Sequence, residues 1–128
     1  MAERIAFKGR LPSALAAMSI GEYKGLVKSR QRRWLSRNSL QYKKLTESVE
    51  RKRAQGKPVR THMREALILP SWVGMEFDVH NGKEFVHFGI TPNMLGHRLG
   101  EFSPTTKRVQ HSAPGIKATR GSKFLDKK

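Results

Sequence analysis

The feature that most constrains this chain is the uneven placement of its charge. Residues 1–66 hold 17 Lys and Arg against 5 Asp and Glu, and residues 103–128 hold 7 Lys and Arg against a single acid. The intervening residues 67–102 hold only 2 basic and 4 acidic residues. Blocks of like charge at chain ends are typical of interaction arms, whereas a near-neutral segment can pack on itself. The pattern therefore predicts a small core between two basic flanks.

The total charge indicates a polyanionic partner. The 128 residues include 26 Lys and Arg and 10 Asp and Glu, which gives a net charge of +16. A surface of this kind is the electrostatic footprint of nucleic-acid binding. Apolar residues make up 37% of the chain, enough for a small core, so part of the chain is expected to become ordered only against its partner.

Missing residue types exclude several classes of site. The chain has no cysteine, which excludes disulfides and thiolate metal ligands. No apolar run approaches the roughly 18–20 residues of a membrane span, and charges interrupt the first ten positions, so neither membrane association nor secretion is expected. The five histidines lack the spacing of a zinc site. We expect no metal, no cofactor and a cytoplasmic location.

Two helices are predicted in the basic N-terminal flank. The first begins at the capping box formed by Ser19 and Glu22, and apolar residues recur behind it with helical period to about Lys28. The second runs over about 38–55, where Asn38 or Ser39 can cap its start. The glycine and proline that follow are expected to end this helix.

The segment Arg30–Arg37, between these helices, has two interpretations. It is either a solvated helix face with Trp34 filling a gap in the core, or a phosphate-binding surface on which Trp34 packs or stacks. The charge of the whole flank favours the second interpretation, because like charges without a polyanion repel one another. The candidate RNA-binding residues of this flank are Arg30, Arg32, Arg33, Arg37, Lys43 and Lys44.

The middle of the chain has the pattern of a small β-sheet. Val59–Leu69 is predicted to be a strand that stops at Pro70, followed by one helical turn over 70–73. Met75–Val79 alternates apolar and acidic residues, which predicts a half-buried strand, and Phe85–Ile90 returns beside it.

The turn between these two strands leaves two registers open. A two-residue loop places Phe85 opposite Asp78, whereas a three-residue loop with a left-handed Gly82 places Phe85 opposite Phe77. We predict the second register, because it pairs two aromatic rings across the strands.

Residues 96–102 read Gly-His-Arg-Leu-Gly-Glu-Phe and raise the question of a phosphate loop. The spacing of Gly96 and Gly100 matches neither the P-loop nor the dinucleotide fingerprint, which excludes a nucleotide site of either kind. Both glycines are expected where the backbone approaches another group closely, and Glu101 is expected to brace the loop by accepting bonds from amides or an Arg. No nucleophile or acid–base pair is recognisable, so we do not expect an enzyme.

The residues from about Gly56 to His111 resemble the ribosomal protein S19 family of the small subunit. The resemblance rests on Lys57–Thr61, Leu69-Pro70, Val73-Gly74, Val79–Lys83 and Met94–Phe102 with Pro104-Thr105. The arginine-rich N-terminal extension and the stretch Pro114–Arg120 resemble the archaeal and eukaryotic branch. Thr106 and Lys117 depart from the family pattern.

This resemblance implies an α+β fold: a small three-stranded sheet core, an N-terminal helical extension and an extended basic C-terminal tail. The expected divisions are a helical extension over 1–56, the core over 57–102 and the tail over 103–128. The tail has almost no periodicity and is expected to be extended or disordered in isolation.

The resemblance also implies a structural constituent of the small ribosomal subunit that binds rRNA of the subunit head, near the decoding region and the subunit interface, in support of translation. The thirteenth small-subunit protein is the implied neighbour, and the tail is implied to reach towards tRNA. The rRNA-facing residues carried over by motif are Arg60, Asn81, Lys83, His97, Arg98, Lys107 and Arg108, with His111 and Arg120 in the tail.

A second class with similar charge is a DNA-binding or architectural chromatin protein. Such a protein needs a recognition helix with base-reading side chains or an apolar wedge, and neither stands out in this sequence.

Overall fold

The computed structural model describes residues 7–109. Within these residues, four α-helices precede a three-stranded sheet, which confirms the predicted α+β class. The helices are α1 (Pro12–Ala16), α2 (Ile20–Leu26), α3 (Ser29–Arg37) and α4 (Ser39–Gln55), and the strands are β1 (Val59–Thr61), β2 (Glu76–His80) and β3 (Phe85–Gly89). Three short 3₁₀ helices lie at Pro70–Trp72, Pro92–Met94 and Leu99–Phe102.

Local chemistry sets the ends of the predicted helices. The Ser19 hydroxyl accepts a hydrogen bond from the Glu22 amide at 3.3 Å, and the Glu22 carboxylate accepts one from the Ser19 amide at 3.1 Å, so the capping box is confirmed. Helix α4 ends at Gly56, whose left-handed conformation (φ 63°) closes the helix without a Cβ clash. Helices α1 and α3 add to the two that the periodicity predicted.

Asn38 joins α3 to α4 in a way that the sequence did not indicate. It occupies the N-cap position of α4, but its side chain makes no capping bond there. The Asn38 side-chain amide instead donates to the Trp34 carbonyl at 3.2 Å, as does its backbone amide at 2.9 Å. Asn38 therefore closes the end of α3, and the two helices form one angled unit.

The sheet has the order β1-β2-β3, with β1 parallel to β2 and β3 antiparallel to it. Side chains alternate between its faces: Val59, Phe77 and Val79 are fully buried in the core. The opposite face carries polar side chains, among them Arg60 of β1 and Asp78 of β2, which are register partners. Arg60 lies on this outer face; the other candidates within residues 7–109 lie on the helical flank, in the hairpin loop, in the 96–102 loop and just beyond it.

The predicted hairpin register is wrong. Phe85 pairs with His80, and Phe77 pairs with Phe88, so the loop has four residues, 81–84. The Asn81 side-chain oxygen accepts hydrogen bonds from the amides of Lys83 (2.9 Å) and Glu84 (2.8 Å), and these bonds stabilise the longer loop. Phe77 and Phe88 are register partners, but their rings contact Trp72 and Phe102, respectively.

The predicted strand over 59–69 is also too long, because β1 ends at Thr61. Residues Ala66–Leu69, the central segment, are extended and fully buried, and they pair with the loop around Arg98 instead of with the sheet. The Ile68 amide donates to the His97 carbonyl and the Leu99 amide to the Ala66 carbonyl, both at 3.0 Å.

Two buried tyrosines donate hydrogen bonds to backbone carbonyl groups of the central segment. The Tyr42 hydroxyl of α4 donates to the Leu67 carbonyl and the Tyr23 hydroxyl of α2 to the Ile68 carbonyl, both at 2.9 Å. Buried backbone groups need such partners, so the helices and the central segment hold one another in place. The helical flank is thereby part of the same core as the sheet.

Candidate nucleic-acid interface

The two glycines of the 96–102 loop approach specific groups closely. Gly96 has a left-handed backbone (φ 81°), and a Cβ there would lie 3.0 Å from the Phe7 ring. A Cβ at Gly100 would lie 2.9 Å from both the Cβ and the carbonyl oxygen of Arg64. The expectation of close backbone approach is confirmed, and the neighbouring groups belong to the protein itself.

Arg64 fixes the position of this loop. Its guanidinium donates to the carbonyls of His80 (2.6 Å), Gly100 (2.8 Å) and Ser103 (2.5 Å), and its own carbonyl accepts from the Gly100 amide at 2.7 Å. The same side chain thus joins the end of β2 to both ends of the 100–103 turn. Sequence reasoning missed Arg64 because its partners lie 16 to 39 residues away.

Helix α3 packs against the other side of the loop. The Gln31 side-chain amide donates to the Gly96 carbonyl, and the Arg98 guanidinium lies 5.9 Å from the centre of the Trp34 ring. Trp34 is half-buried, packs edge-on against Tyr42 and donates its indole N–H to Glu65. Trp34 therefore packs into the core and also carries a cation on its ring.

These contacts place the basic residues of α3 beside those of the loop. Arg30 and Arg37 are exposed and lie about one helical turn before and after Trp34. We call the resulting patch the α3–loop surface; its members are Arg30, Arg33, Arg37, His97 and Arg98. Segments separated by some 60 residues in the chain thus contribute to one basic surface.

A shallow groove of about 540 Å³ runs along α3, on the side of the helix away from Gln31 and Trp34. Its lining consists of hydroxyl and guanidinium groups, from Ser29, Arg32, Arg33, Ser36 and Arg37. Arg32 also donates to the carbonyls of Lys24 (3.2 Å) and Val27 (3.3 Å), where α2 ends. Arg32 thus stabilises the α2–α3 junction, whereas Arg33 and Arg37 are exposed to solvent.

His97 is exposed and is held by Glu101. The His97 Nδ1 lies 2.6 Å from a Glu101 carboxylate oxygen. Glu101 therefore braces the loop as expected, although through a histidine ring instead of an amide or an arginine. This bond orients the imidazole on the protein surface beside Arg98.

The predicted residues of the sheet form a second group. Arg60 lies 3.3 Å from the Asp78 carboxylate and 5.2 Å from the centre of the Phe85 ring, and its side chain is 71% exposed. Asn81 shapes the hairpin loop through its side-chain oxygen, and Lys83 is exposed in that loop. Asp78 is almost fully buried beneath Arg60 and His87, whereas Glu76 on the same face of β2 remains exposed.

The remaining candidates are dispersed. Lys43 and Lys44 are exposed on α4, and Lys107 and Arg108 are exposed beyond the last 3₁₀ helix. His111 and Arg120 lie outside the residues that the structure describes. The structure thus brings the α3 and loop candidates together and leaves the others at separate places.

Burial of the two tyrosine hydroxyls has an electrostatic consequence. Loss of solvation raises the pKa of Tyr23 to about 12, against the opposing effect of the hydrogen bond from the Gly96 amide. Burial likewise raises the pKa of Tyr42. Both hydroxyls therefore stay protonated and donate to the central segment at neutral pH.

Neither a metal site nor a membrane span is found in the described part of the chain. Over residues 7–109, the acidic and histidine side chains form no group of three that could hold a metal ion. None of the helices in this range has the length and apolar character needed to cross a membrane.

Comparison with known proteins identifies the family. Residues 30–111 match the family described as Ribosomal protein S19. The small ribosomal subunit protein uS19 of Saccharolobus solfataricus is 46% identical over 123 residues, which cover 93% of this chain and 88% of that protein. The match begins at the first arginine of the α3–loop surface and includes the whole sheet. The chain therefore belongs to the ribosomal protein S19 family.

Proposed function

We propose that the chain binds the rRNA of the small-subunit head, near the decoding region and the subunit interface, through its α3–loop surface. Membership of the family makes the chain a small-subunit ribosomal protein, a non-enzymatic constituent of the cytoplasmic ribosome that takes part in translation. The proposal concerns where on the subunit the chain binds and which of its residues contact RNA.

The observation that carries this proposal is the packing of α3 on the 96–98 backbone. The contacts from Gln31 to the Gly96 carbonyl and from Trp34 to Arg98 fix two separate basic segments relative to each other. Basic segments held at a fixed spacing suit the phosphates of a folded RNA, because less backbone freedom is lost on binding.

The charges of this surface favour backbone binding over base reading. Arginine forks and serine hydroxyls line the groove along α3, and these groups bind phosphate oxygens of any sequence. Sequence preference would then come from the shape of the RNA and from a small number of additional contacts. Among residues 7–109, no carboxylate forms a salt bridge with Arg98, and Glu101 bonds to His97 instead.

Two neighbours belong to the proposal on the ground of the family resemblance. The thirteenth small-subunit protein is the expected protein neighbour, and tRNA is the expected neighbour of the tail. The exposed cations Lys107 and Arg108 at the end of the described chain are compatible with such a path. His111 and Arg120 are the tail residues that we propose to lie near RNA.

Co-sedimentation tests this function. The purified chain should sediment with small ribosomal subunits that lack it and should be released as salt rises from 50 to 300 mM. Phosphate-dominated binding lowers log affinity by about 0.7–0.9 per log unit of salt for each contact. An affinity that does not change over this range would contradict the proposal.

The rival class, a DNA-binding architectural protein, is separated by competition. Small-subunit rRNA should displace the labelled chain from duplex DNA at far lower concentration than DNA displaces it from rRNA. Equal displacement in both directions would indicate unspecific binding of polyanions and would contradict the proposed recognition of rRNA.

A further inference from the structure

A cluster of aromatic, histidine and arginine side chains lies at the end of the sheet. The rings of His62 and His80 are 4.4 Å apart, and Phe85 contacts both edge-on, at 5.2 Å from His62 and 5.0 Å from His80. The guanidinium of Arg60 lies 5.2 Å from the Phe85 ring. We call these four residues the ring cluster.

The ring cluster is not part of the hydrophobic core. Phe85 is 37% exposed at the first position of β3, and His62 is exposed just beyond β1. His80 is half-buried between them and receives the Gly82 amide on its Nδ1 at 3.0 Å, which holds its ring in place. Phe85 packs on polar and charged neighbours and keeps more than a third of its surface exposed, so part of its ring stays available to a partner.

Two contacts fix the cluster in an open arrangement. Arg64 holds the His80 carbonyl at 2.6 Å, and the pairing of His80 with Phe85 in the sheet sets the distance between their rings. The ring planes are thus positioned before any partner arrives, which lowers the entropy lost on binding.

The local charges indicate what kind of group can bind. Asp78 pairs with Arg60 at 3.3 Å, lies 2.6 Å from the His87 Nδ1 and is only 7% exposed. Arg60 already occupies the cation position near the Phe85 ring, so an incoming cation would be repelled. In the hairpin loop Lys83 and Glu84 are both exposed and of opposite charge. A neutral planar group suits this site better than a basic peptide.

We propose that the ring cluster binds one unpaired nucleobase of rRNA. The base would stack on the exposed His62 ring, and the Phe85 ring, whose plane is 72° from that of His62, would contact the edge of the base. Single-stranded bases that leave the helical stack are recognised by aromatic, histidine and arginine planes of this kind. The inference rests on the proposed function and adds to it a base-binding site that is distinct from the phosphate-binding α3–loop surface.

Ultraviolet cross-linking tests the site directly. The full chain is irradiated in complex with purified small-subunit rRNA, digested and analysed by mass spectrometry. A nucleotide adduct is expected on the peptide that contains His62 or on the one that contains Phe85. Adducts on other aromatic residues with none on these two peptides, or a cross-link from the cluster to a protein in assembled subunits, would overturn the proposal.

Variants provide the second measurement. The combination of His62→Ala with Phe85→Ala should weaken rRNA binding on the order of tenfold, because stacking contributes this much per base. The slope of log affinity against log salt should stay unchanged, because the substitutions remove no cation. Phe85→Tyr keeps the ring and should retain affinity, and Leu40→Ala removes an exposed apolar side chain (68% exposed) elsewhere as the matched control.

The affinity and its salt dependence distinguish a failure of the base site from a failure of the proposed function. Unchanged affinity of the double variant, with the salt dependence intact, would overturn the base site and leave the proposed function in place. A wild-type chain with no salt dependence would overturn the proposed function and the base site with it. Urea unfolding of each variant, followed by tryptophan fluorescence, verifies that the fold is retained.

Discussion

Gly100→Ala tests the close approach between the 96–102 loop and Arg64. The new Cβ would lie 2.9 Å from the Cβ and the carbonyl oxygen of Arg64, about 0.5 Å inside ordinary contact. Neither atom can retreat easily, because the Arg64 carbonyl accepts from the Gly100 amide and its guanidinium holds three other carbonyls. The backbone of Gly100 is not left-handed, so the clash is the main cost of this substitution.

The magnitude follows from two opposing effects. Overpacking of a fitted site costs about 1–3 kcal/mol, and displacement of the 2.7 Å bond between Gly100 and Arg64 costs about 1 kcal/mol more. Replacement of glycine by alanine also raises the unfolding free energy by about 0.4–1 kcal/mol, because alanine restricts the conformations of the unfolded chain. We expect Gly100→Ala to lower the unfolding free energy by about 1–3 kcal/mol.

Urea unfolding followed by the fluorescence of the two tryptophans measures this change. Gly25→Ala is the matched control, because Gly25 lies within α2 and a Cβ there would meet nothing within 4 Å. The control should gain about 0.5–1 kcal/mol, since alanine favours a helix over glycine. Equal stability of Gly100→Ala and wild type would refute the tight contact that places the loop.

Three further outcomes are expected. Tyr23→Phe removes the hydroxyl that joins the Ile68 carbonyl to the Gly96 amide and should lower stability by about 1–3 kcal/mol in thermal unfolding. Burial raises the pKa of Tyr23 to about 12, above the ordinary tyrosine pKa of about 10. The stability contributed by the neutral hydroxyl should therefore be complete below about pH 10 and should be lost as the pH rises through about 12. A free energy of unfolding that does not change between these pH values would contradict the burial of this hydroxyl. Arg98→Ala should weaken rRNA binding and reduce the salt slope by about 0.7–0.9 with little loss of stability; unfolding of this variant would instead make Arg98 a structural residue.

The sequence was most informative where a local pattern sets the structure. The Ser19–Glu22 capping box, the end of α4 at Gly56 and the helical turn at Pro70 are all present in the fold. Each depends on residues within four positions of one another, so no tertiary information was needed. The length of β1 was wrong because the central segment is apolar and extended, as a strand is, but pairs with a distant loop.

The hairpin register failed for a related reason. The preference for pairing Phe85 with Phe77 considered the strands and not the loop. Asn81 accepts two amides of the loop and stabilises four residues there, which moves Phe85 opposite His80. Competition between a side-chain bond in the turn and an aromatic pair across the strands cannot be resolved from the residue pattern alone.

The candidate site was predictable in composition but not in arrangement. Charge and motif pointed to the arginines of α3 and to His97 and Arg98. The pattern could not reveal that Gln31 bonds to the Gly96 carbonyl, or that Arg64 clamps the loop from the other side. Such contacts join residues 36 to 65 positions apart, and only the packing of the core brings them together.

The central claim is that the α3–loop surface binds the phosphates of rRNA, and the salt dependence of binding tests it most directly. The affinity of the full chain for small-subunit rRNA is measured between 50 and 300 mM salt for wild type and for the combination of Arg33→Ala with Arg37→Ala. Both arginines are exposed and line the groove on α3. The combination of Arg51→Ala with Lys57→Ala removes the same charge from exposed positions elsewhere and serves as the control.

We expect the Arg33→Ala, Arg37→Ala variant to reduce the slope of log affinity against log salt by about 1.4–1.8, the value for two lost phosphate contacts, and the control to reduce it less. A slope equal to that of wild type or of the control would contradict phosphate binding by this surface.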